Sequence, residues 1–547
     1  MGWLAIASVA GFAVAEAIRI LVERTHVVLY GDQALLELGA RRAAQFDQLV
    51  GPYSREGFHH PGPAVFYLLS PFVRLFEPAG PGLYFGAIVL SGAALAATVA
   101  FVWRRHGALA ALFAAVAIDL YCLCLGVGTL REPWNPYLIV APMVLFVVLW
   151  AAAVARTEGS TEAAVWTLVV GSYEIQTHIA TGALIVVMSV IMLGRLAGPW
   201  WRDHRAGRRR RWGPARIVGL GALALVWLPP VVEAFRDRPN NLQQMWDFFT
   251  SPHSGAPLHQ ALQIAGDALT ILPFGNHDYV LALDRGAGQL ALGVVLLVAG
   301  MVAAVLLGRR RRQPVSVALA AAGGIGAVIG TISLVLTPGP VYIWFAVWMA
   351  FVPLSFLLAI GIALLDPGVG VGVGIAAPAR AGAVAPAPRW AGRLCVAGAL
   401  ALAALTIQSD LRMGPISTTT GSGPWPGSNA ATRAGKAQTV QGTAALSRAA
   451  ENVLGPADRR VNIAIGSPSL WPYVAGMVLE LDERGVQSTV SPSSWTLYFG
   501  NERAPGRRVS ARFDLYALGD STAQRAAPGS VIAEINGAVL TFQRTSD

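Results

Sequence analysis

The densest set of groups able to do chemistry lies between two apolar segments, where Gly31-Asp32-Gln33 leads through Gly51-Pro52-Tyr53-Ser54-Arg55 to His59-His60-Pro61-Gly62-Pro63. Asp32 opens an amphipathic stretch, 33–49, whose Ala34, Leu35, Leu38 and Phe46 are expected to rest on a bilayer surface. A carboxylate there can take the proton of a sugar hydroxyl as that hydroxyl attacks an anomeric carbon. It can equally serve as a helix N-cap. The two histidines sit on a bend set by prolines and glycine. With Tyr53 and Arg55 they can grip a phosphate, the arginine supplying paired donors, or they can form a structural turn.

Two further groups follow. Arg131-Glu132-Pro133-Trp134-Asn135-Pro136 is short and polar, with Glu132 read either as a second carboxylate or as the ion-pair partner of Arg131. Glu174, Gln176 and His178 interrupt the apolar stretch 162–197. Ionisable groups at membrane depth are costly, so both a functional and a structural reading stand there. A long connection, 235–286, adds Asp237, Trp246, Asp247, His253, His277 and Asp278. His277-Asp278 has the residue types of a metal-ligand pair but lacks spaced partners, and no metal or other cofactor is assigned.

The elements that must hold these groups are read from composition. Apolar residues make up 54% of the 547 and charged residues only 13%, with a mean hydropathy of +0.52, against roughly 25% charged in soluble proteins. The chain is therefore a polytopic α-helical membrane protein. Its net charge of +10 comes with short arginine runs between apolar spans, Arg104-Arg105, Arg208 to Arg211 and Arg309 to Arg312. Such runs set topology, and nucleic-acid binding is not expected. A single lysine, Lys436, among many arginines suggests a GC-rich genome. Cys122, Cys124 and Cys395 lie in apolar spans. Residues two apart point about 200° apart on a helix, so Cys122 and Cys124 are read as packing residues.

About 20 apolar residues cross the hydrocarbon. The clear spans are 2–22, 82–103, 108–128, 137–155, 214–234, 287–308, 314–336, 341–365 and 391–408. Segment 62–78 is expected along the interface, because a crossing there would move Arg104-Arg105 away from the other basic loops. By the same argument 162–197 is two short helices meeting at a polar turn. The outcome is about eleven spans, with the amino terminus cytoplasmic, a large first outer loop 23–81, a long outer loop 235–286, and the tail outside. Glu16 and Arg19 inside the first span, with no basic start before it, argue against a cleaved leader.

The domain plan is a membrane module 1–411, a linker 412–435, and an extracytoplasmic α/β domain 436–547. Residues 366–390 read as a flexible cytoplasmic connection. In the tail, 436–453 has helical spacing, 461–465 reads as a strand, 470–484 as a helix stopped by Gly485, 511–517 as a strand, and the segment around Ile535-Asn536-Gly537-Ala538-Val539 as a hairpin. That order favours a small α/β fold, and no phosphate-binding glycine fingerprint is present.

An acidic residue soon after the first span, interfacial helices, the His-Pro-x-Pro-like turn before Phe66-Tyr67-Leu68-Leu69, and Trp134-Asn135-Pro136 resemble the membrane-embedded GT-C glycosyltransferases. Within that superfamily these residues resemble the protein-mannosyltransferase-like and actinobacterial cell-envelope enzymes. The resemblance covers residues 1–290. It implies an inverting transfer of a sugar, arabinofuranose or mannose, from a polyprenyl-phosphate donor to a cell-envelope glycan or lipid acceptor at the outer face of the plasma membrane. The base role falls on Asp32. Substrate and donor contacts are assigned to Tyr53, Arg55, His59, His60, Arg131, Glu132, Trp134, Asn135, Gln176 and His178, with positive groups stabilising the departing phosphate. Gln33 follows Asp32 where mannosyltransferases often carry Asp-Glu, which points away from protein mannosylation. Two other classes remain open: a lipid or sugar transporter or flippase, for which paired broken helices in two halves would be the sign, and a non-catalytic glycan-binding scaffold.

Overall fold

The computed structural model describes residues 1–23, 27–76, 80–206, 213–275, 286–366, 389–412, 430–506 and 508–545. Arg208 to Arg211, His277 and Asp278, and most of the two linkers lie outside the described residues. The chain forms two compact units, the first from Met1–Ile18, Ala87–Leu228 and Ser251–Met413, the second from Arg19–Gly86, Pro229–Thr250 and Gly414–Asp547.

The first unit is a helical body. Among the described residues of the whole chain, nine helices are long and apolar enough to cross a bilayer. One of them, Pro81–Leu125, is 45 residues long and breaks at Gly107, whose φ of 84° and ψ of 172° are open to glycine but strained for any other residue. The break follows Arg104-Arg105 and separates the two spans read from the sequence. A further helix, Ser160–Thr177, is more polar and packs beside Val140–Val154 and Gly182–Arg205. The break divides one helix into two spans, and Ser160–Thr177 and Gly182–Arg205 are the two helices expected over 162–197. Val140–Val154 is buried along almost its whole length among Ser160–Thr177, Gly182–Arg205, Pro314–Leu336 and Phe351–Leu365. The stretch 162–197 is interrupted as anticipated: the first helix ends at Thr177, His178 is extended, and a short 3-10 turn, Ile179–Thr181, leads into the second.

The second unit joins the first loop to the tail. Ala64–Leu75 is a 12-residue helix, about 18 Å long at 1.5 Å per residue and too short for a hydrocarbon core of about 30 Å. The amphipathic stretch expected over 33–49 is a helix over Gly31–Ala43. One expectation about it is corrected. Ala34, Leu35 and Leu38 are buried in a helix that packs on Ala64–Leu75 and on Trp471–Glu483, so protein rather than lipid covers them. Phe46 lies beyond the helix at φ 60° and is 83% exposed.

The tail carries a five-stranded sheet, β1 (Arg460–Ile465), β2 (Gln487–Ser491), β3 (Ala511–Ala517), β4 (Ser530–Ile535) and β5 (Ala538–Arg544), in the order β2-β1-β3-β5-β4. β1 runs parallel to β2 and β3, while β5 is antiparallel to β3 and β4. A parallel pair needs a crossover, which Trp471–Glu483 supplies between β1 and β2. The β4–β5 hairpin turns on Asn536 and Gly537, both at positive φ, as a two-residue primed turn requires. β2, short and mostly polar, is the strand the sequence reading missed. Gly476 lets the chain at Leu29 approach this helix, since a Cβ there would lie 2.5 Å from the Leu29 carbonyl oxygen.

Candidate functional site

Asp32 is the second residue of the Gly31–Ala43 helix, and the N-cap is Tyr30, with no side-chain cap bond. The capping alternative therefore does not apply to Asp32. Its Oδ1 accepts a hydrogen bond from the Tyr53 hydroxyl. Around this pair, Tyr53 lies 4.3 Å from the Tyr498 ring and 6.0 Å from that of Trp471, measured between centroids, and Trp495 packs on Tyr498 at 5.0 Å. These rings pack around the phenol that holds the carboxylate, which is largely withdrawn from water. Burial raises the Asp32 pKa from 3.8 to about 6, against the lowering by the Tyr53 bond. A carboxylate poised there can act as a base near neutral pH.

Tyr53 is aimed by a small hairpin. Residues 51–60 fold back so that Tyr53 and His59 form an antiparallel bridge, with Ser54 N–H donating to Phe58 O at 2.8 Å, His60 N–H to Pro52 O at 2.8 Å and Gly51 N–H to His60 O at 3.1 Å. The Asn241 side chain clamps it, its Oδ1 accepting from His59 N–H at 2.7 Å and its Nδ2 donating to His59 O at 2.9 Å. Asn241 N–H in turn donates to Glu233 Oε1 at 2.7 Å. Phe58 is buried against Phe248 and Phe249. His59 Nδ1 lies 3.2 Å from Gly51 O. A carbonyl only accepts, so the proton sits on Nδ1 and leaves Nε2 a lone pair. Burial lowers the His59 pKa to about 4, so the ring is neutral at pH 7. Arg55 is exposed, its Nε bonded to Glu56 at 2.7 Å, and His60 is buried.

The remaining candidates belong to the helical body. Arg131 is 2% exposed, and its Nη1 lies 3.3 Å from Glu16 Oε1 and 3.6 Å from Asp410 Oδ1, both carboxylates fully buried. Its guanidinium thus lies against two buried carboxyl groups. Glu132 is buried beside it in the chain. Asn135 Nδ2 donates to Thr177 O at 3.1 Å, satisfying a carbonyl at the end of the Ser160–Thr177 helix. Trp134 packs on Tyr137 and on Trp344, with centroids 5.7 and 5.4 Å away.

Gln176 Nε2 donates to Val226 O at 3.1 Å. Pro230, four residues on within the Pro214–Arg236 helix, has no N–H for that carbonyl. The glutamine thus supplies the hydrogen bond that the proline removes. His178 Nδ1 accepts from Ala180 N–H at 3.3 Å and caps the 3-10 turn. The structural reading therefore accounts for the Gln176 and His178 bonds named here. Glu174 is 0% exposed, and neither carboxyl oxygen has a hydrogen-bond partner among the described residues.

The structure brings Asp32, Tyr53 and His59 together in the second unit, while Arg131, Asn135, Gln176 and His178 are positioned within the first. Trp471, Trp495 and Tyr498 of the tail, Glu233 near the end of the Pro214–Arg236 helix and Asn241 of the long loop belong to the same unit as Asp32 and were not singled out from the sequence. Their signal was weak: aromatic residues clustered in 471–473 and 495–499 of a tail that otherwise reads as an ordinary α/β domain. Among the described residues no group of three or more His, Cys, Asp or Glu side chains is placed to hold a metal ion.

No family model matches the chain, and no curated protein matches its sequence. Solved structures do match. An apo oligosaccharyltransferase from Archaeoglobus fulgidus aligns over 95% of this chain and 70% of its own at 16% identity, with a TM-score of 0.38 that is too low to bear on the fold. The crystal structure of ArnT from Cupriavidus metallidurans bound to undecaprenyl phosphate aligns over 99% of this chain and 98% of its own, with a TM-score of 0.57 and 13% identity. The expected architecture, a multi-pass helical membrane protein with a small C-terminal sheet domain, is the one found, and at this identity the likeness to ArnT is one of fold.

Proposed function

We propose that the chain is a GT-C-type glycosyltransferase that moves a sugar from a polyprenyl-phosphate donor to a hydroxyl of a glycan or lipid acceptor, with Asp32 as general base. The observation that carries this reading is the Asp32–Tyr53 pair, a carboxylate whose burial raises its pKa to about 6 and which one phenol orients. The undecaprenyl phosphate bound in the ArnT structure, whose fold this chain shares end to end, supports a polyprenyl-phosphate donor. In the step, the Asp32 carboxylate takes the acceptor hydroxyl proton and the oxygen forms a bond to the anomeric carbon. The bond from that carbon to the donor phosphate breaks, the lipid phosphate leaves with the electron pair, and the configuration inverts.

The reaction is assigned to the outer face of the plasma membrane, the amino terminus to the cytoplasm, and the 436–547 domain to the side of the reaction. Arabinofuranose or mannose is the sugar, and a cell-envelope glycan the acceptor, on the family resemblance. Purified full-length protein is tested with radiolabelled polyprenyl-phospho-sugars, arabinofuranose and mannose among them. Wild type is expected to transfer label and Asp32→Asn to fall by about 10² to 10⁴. Undiminished transfer by Asp32→Asn removes the base assignment, and absence of transfer from every donor by wild type counts against the enzyme reading.

A further inference from the structure

Within the second unit, the chain after the Gly31–Ala43 helix, the segment around Arg236–Asn241 and the Thr496–Glu502 loop of the tail enclose a cavity of about 410 Å³. Its size falls in the range of roughly 300–1,000 Å³ usual for small-ligand sites. The wall mixes polar and apolar surface and carries the carboxylates of Asp47, Glu233, Asp237 and Glu502 against the guanidiniums of Arg42 and Arg236. Both guanidiniums are already engaged. Arg42 donates from Nε to Gln48 Oε1 at 2.7 Å and from Nη1 to Phe499 O at 2.6 Å and to Glu502. Arg236 donates to both oxygens of Asp237 at 3.0 and 3.3 Å.

We infer that this cavity binds a neutral, hydroxyl-rich sugar ring and rejects a phosphate. An anion entering it would face more carboxylates than guanidiniums, and both cations are neutralised by ion pairs of their own. Hydroxyls are the complementary groups, because each both donates and accepts. Glu233 is 5% exposed, and its Oε1 accepts from the Asn241 backbone N–H, so the carboxylate is held in a fixed pose for hydroxyl donors. His59 Nε2, the lone-pair nitrogen of a neutral ring, is a second acceptor on the wall. Gln244 and Asn501 add side-chain amides able to donate to ring and hydroxyl oxygens. Asp32 is not in the wall, yet the hairpin that presents His59 also presents Tyr53, the phenol bonded to Asp32. The cavity is thereby tied to the candidate base by one rigid element. Assigning the ring to one of the two glycosyl substrates rests on the proposed function, whereas the binding claim does not.

Saturation-transfer NMR on the purified full-length protein tests this with methyl α-D-mannopyranoside, methyl α-D-arabinofuranoside and mannose 1-phosphate as probes. At least one neutral glycoside is expected to bind, and more tightly than the sugar phosphate. Glu233→Gln, which keeps the acceptor for Asn241, and Gln244→Ala, at a half-buried position, are each expected to weaken that binding about tenfold. Asp32→Asn is expected to leave it unchanged, so failure of the base assignment and failure of this site are read separately. Competition by polyprenyl-phospho-mannose assigns the ring to the donor, and its absence assigns it to the acceptor; both outcomes support the site. Equal or tighter binding of mannose 1-phosphate, full affinity in both variants, or no binding of either neutral glycoside overturns the inference.

Discussion

Tyr53→Phe isolates the chemistry at the candidate base. The substitution keeps the ring that packs on Tyr498 and Trp471 and removes only the hydroxyl that donates to Asp32. That bond favours the ionised carboxylate and offsets part of the upward push of burial, which leaves the pKa at about 6. A hydrogen bond to a charged group is worth about 1.5–3 kcal/mol, and 1.36 kcal/mol is one pKa unit. Without the phenol, Asp32 should titrate at about 7 to 8. The base works only when ionised, so transfer rises as pH rises through its pKa. At pH 7 the ionised fraction falls from about nine-tenths to between about one-half and one-tenth, a loss of about two- to tenfold in rate. The two enzymes should converge near pH 9, since the carboxylate in the variant is then ionised and is the stronger base. The assay is the pH profile of sugar transfer by the two proteins. A profile whose acidic limb does not move, or moves to lower pH, would refute the claim that this phenol sustains an ionised base.

Asp32→Asn should lower transfer by about 10² to 10⁴ yet stabilise the protein at pH 7 by about 1–3 kcal/mol. The folded-state pKa is raised from 3.8 to about 6, so the wild-type fold loses stability as pH climbs between those values and the loss is complete above them. Thermal unfolding should show the gain at pH 7 and its disappearance near pH 4. In the helical body, Arg131→Met removes the guanidinium that lies against the buried Glu16 and Asp410 carboxyl groups and is expected to cost about 3–5 kcal/mol, measured as a lowered Tm. Glu174→Gln removes a buried carboxyl with no partner among the described residues and should leave Tm unchanged or raise it; a large drop would show that its charge is used. Gln176→Leu leaves the Val226 carbonyl without its donor and should cost about 1–3 kcal/mol, with little loss if water reaches that carbonyl.

Much of the architecture is legible in the sequence because it depends on neighbours in the chain. Twenty apolar residues make a span, twelve make only the short Ala64–Leu75 helix, and a polar run divides the stretch around His178 into two helices. The tail likewise follows from periodicity and turn chemistry, with Gly485 and Asn536-Gly537 as its punctuation. β2 escaped because Gln487–Ser491 has no apolar alternation. Asp32 could be singled out by its type and place, but whether it caps a helix or holds a proton depends on what surrounds it.

Tertiary structure excludes the cap, whose position Tyr30 holds, and supplies the surroundings of Asp32. Tyr53 reaches Asp32 through a hairpin held by Asn241, and the aromatic wall comes from Trp471 and Tyr498, hundreds of residues away. The partners of Arg131, Glu16 and Asp410, come from the two ends of the helical body's chain. The apolar face of Gly31–Ala43 looks the same in sequence whether lipid or protein covers it, and only the packing of Ala64–Leu75 and Trp471–Glu483 distinguishes the two. Local spacing determines which elements form, because backbone hydrogen bonds and hydrophobic periodicity act over a few residues. Which charge is desolvated and which is paired depends on chain segments distant in sequence, so those properties belong to the folded molecule alone.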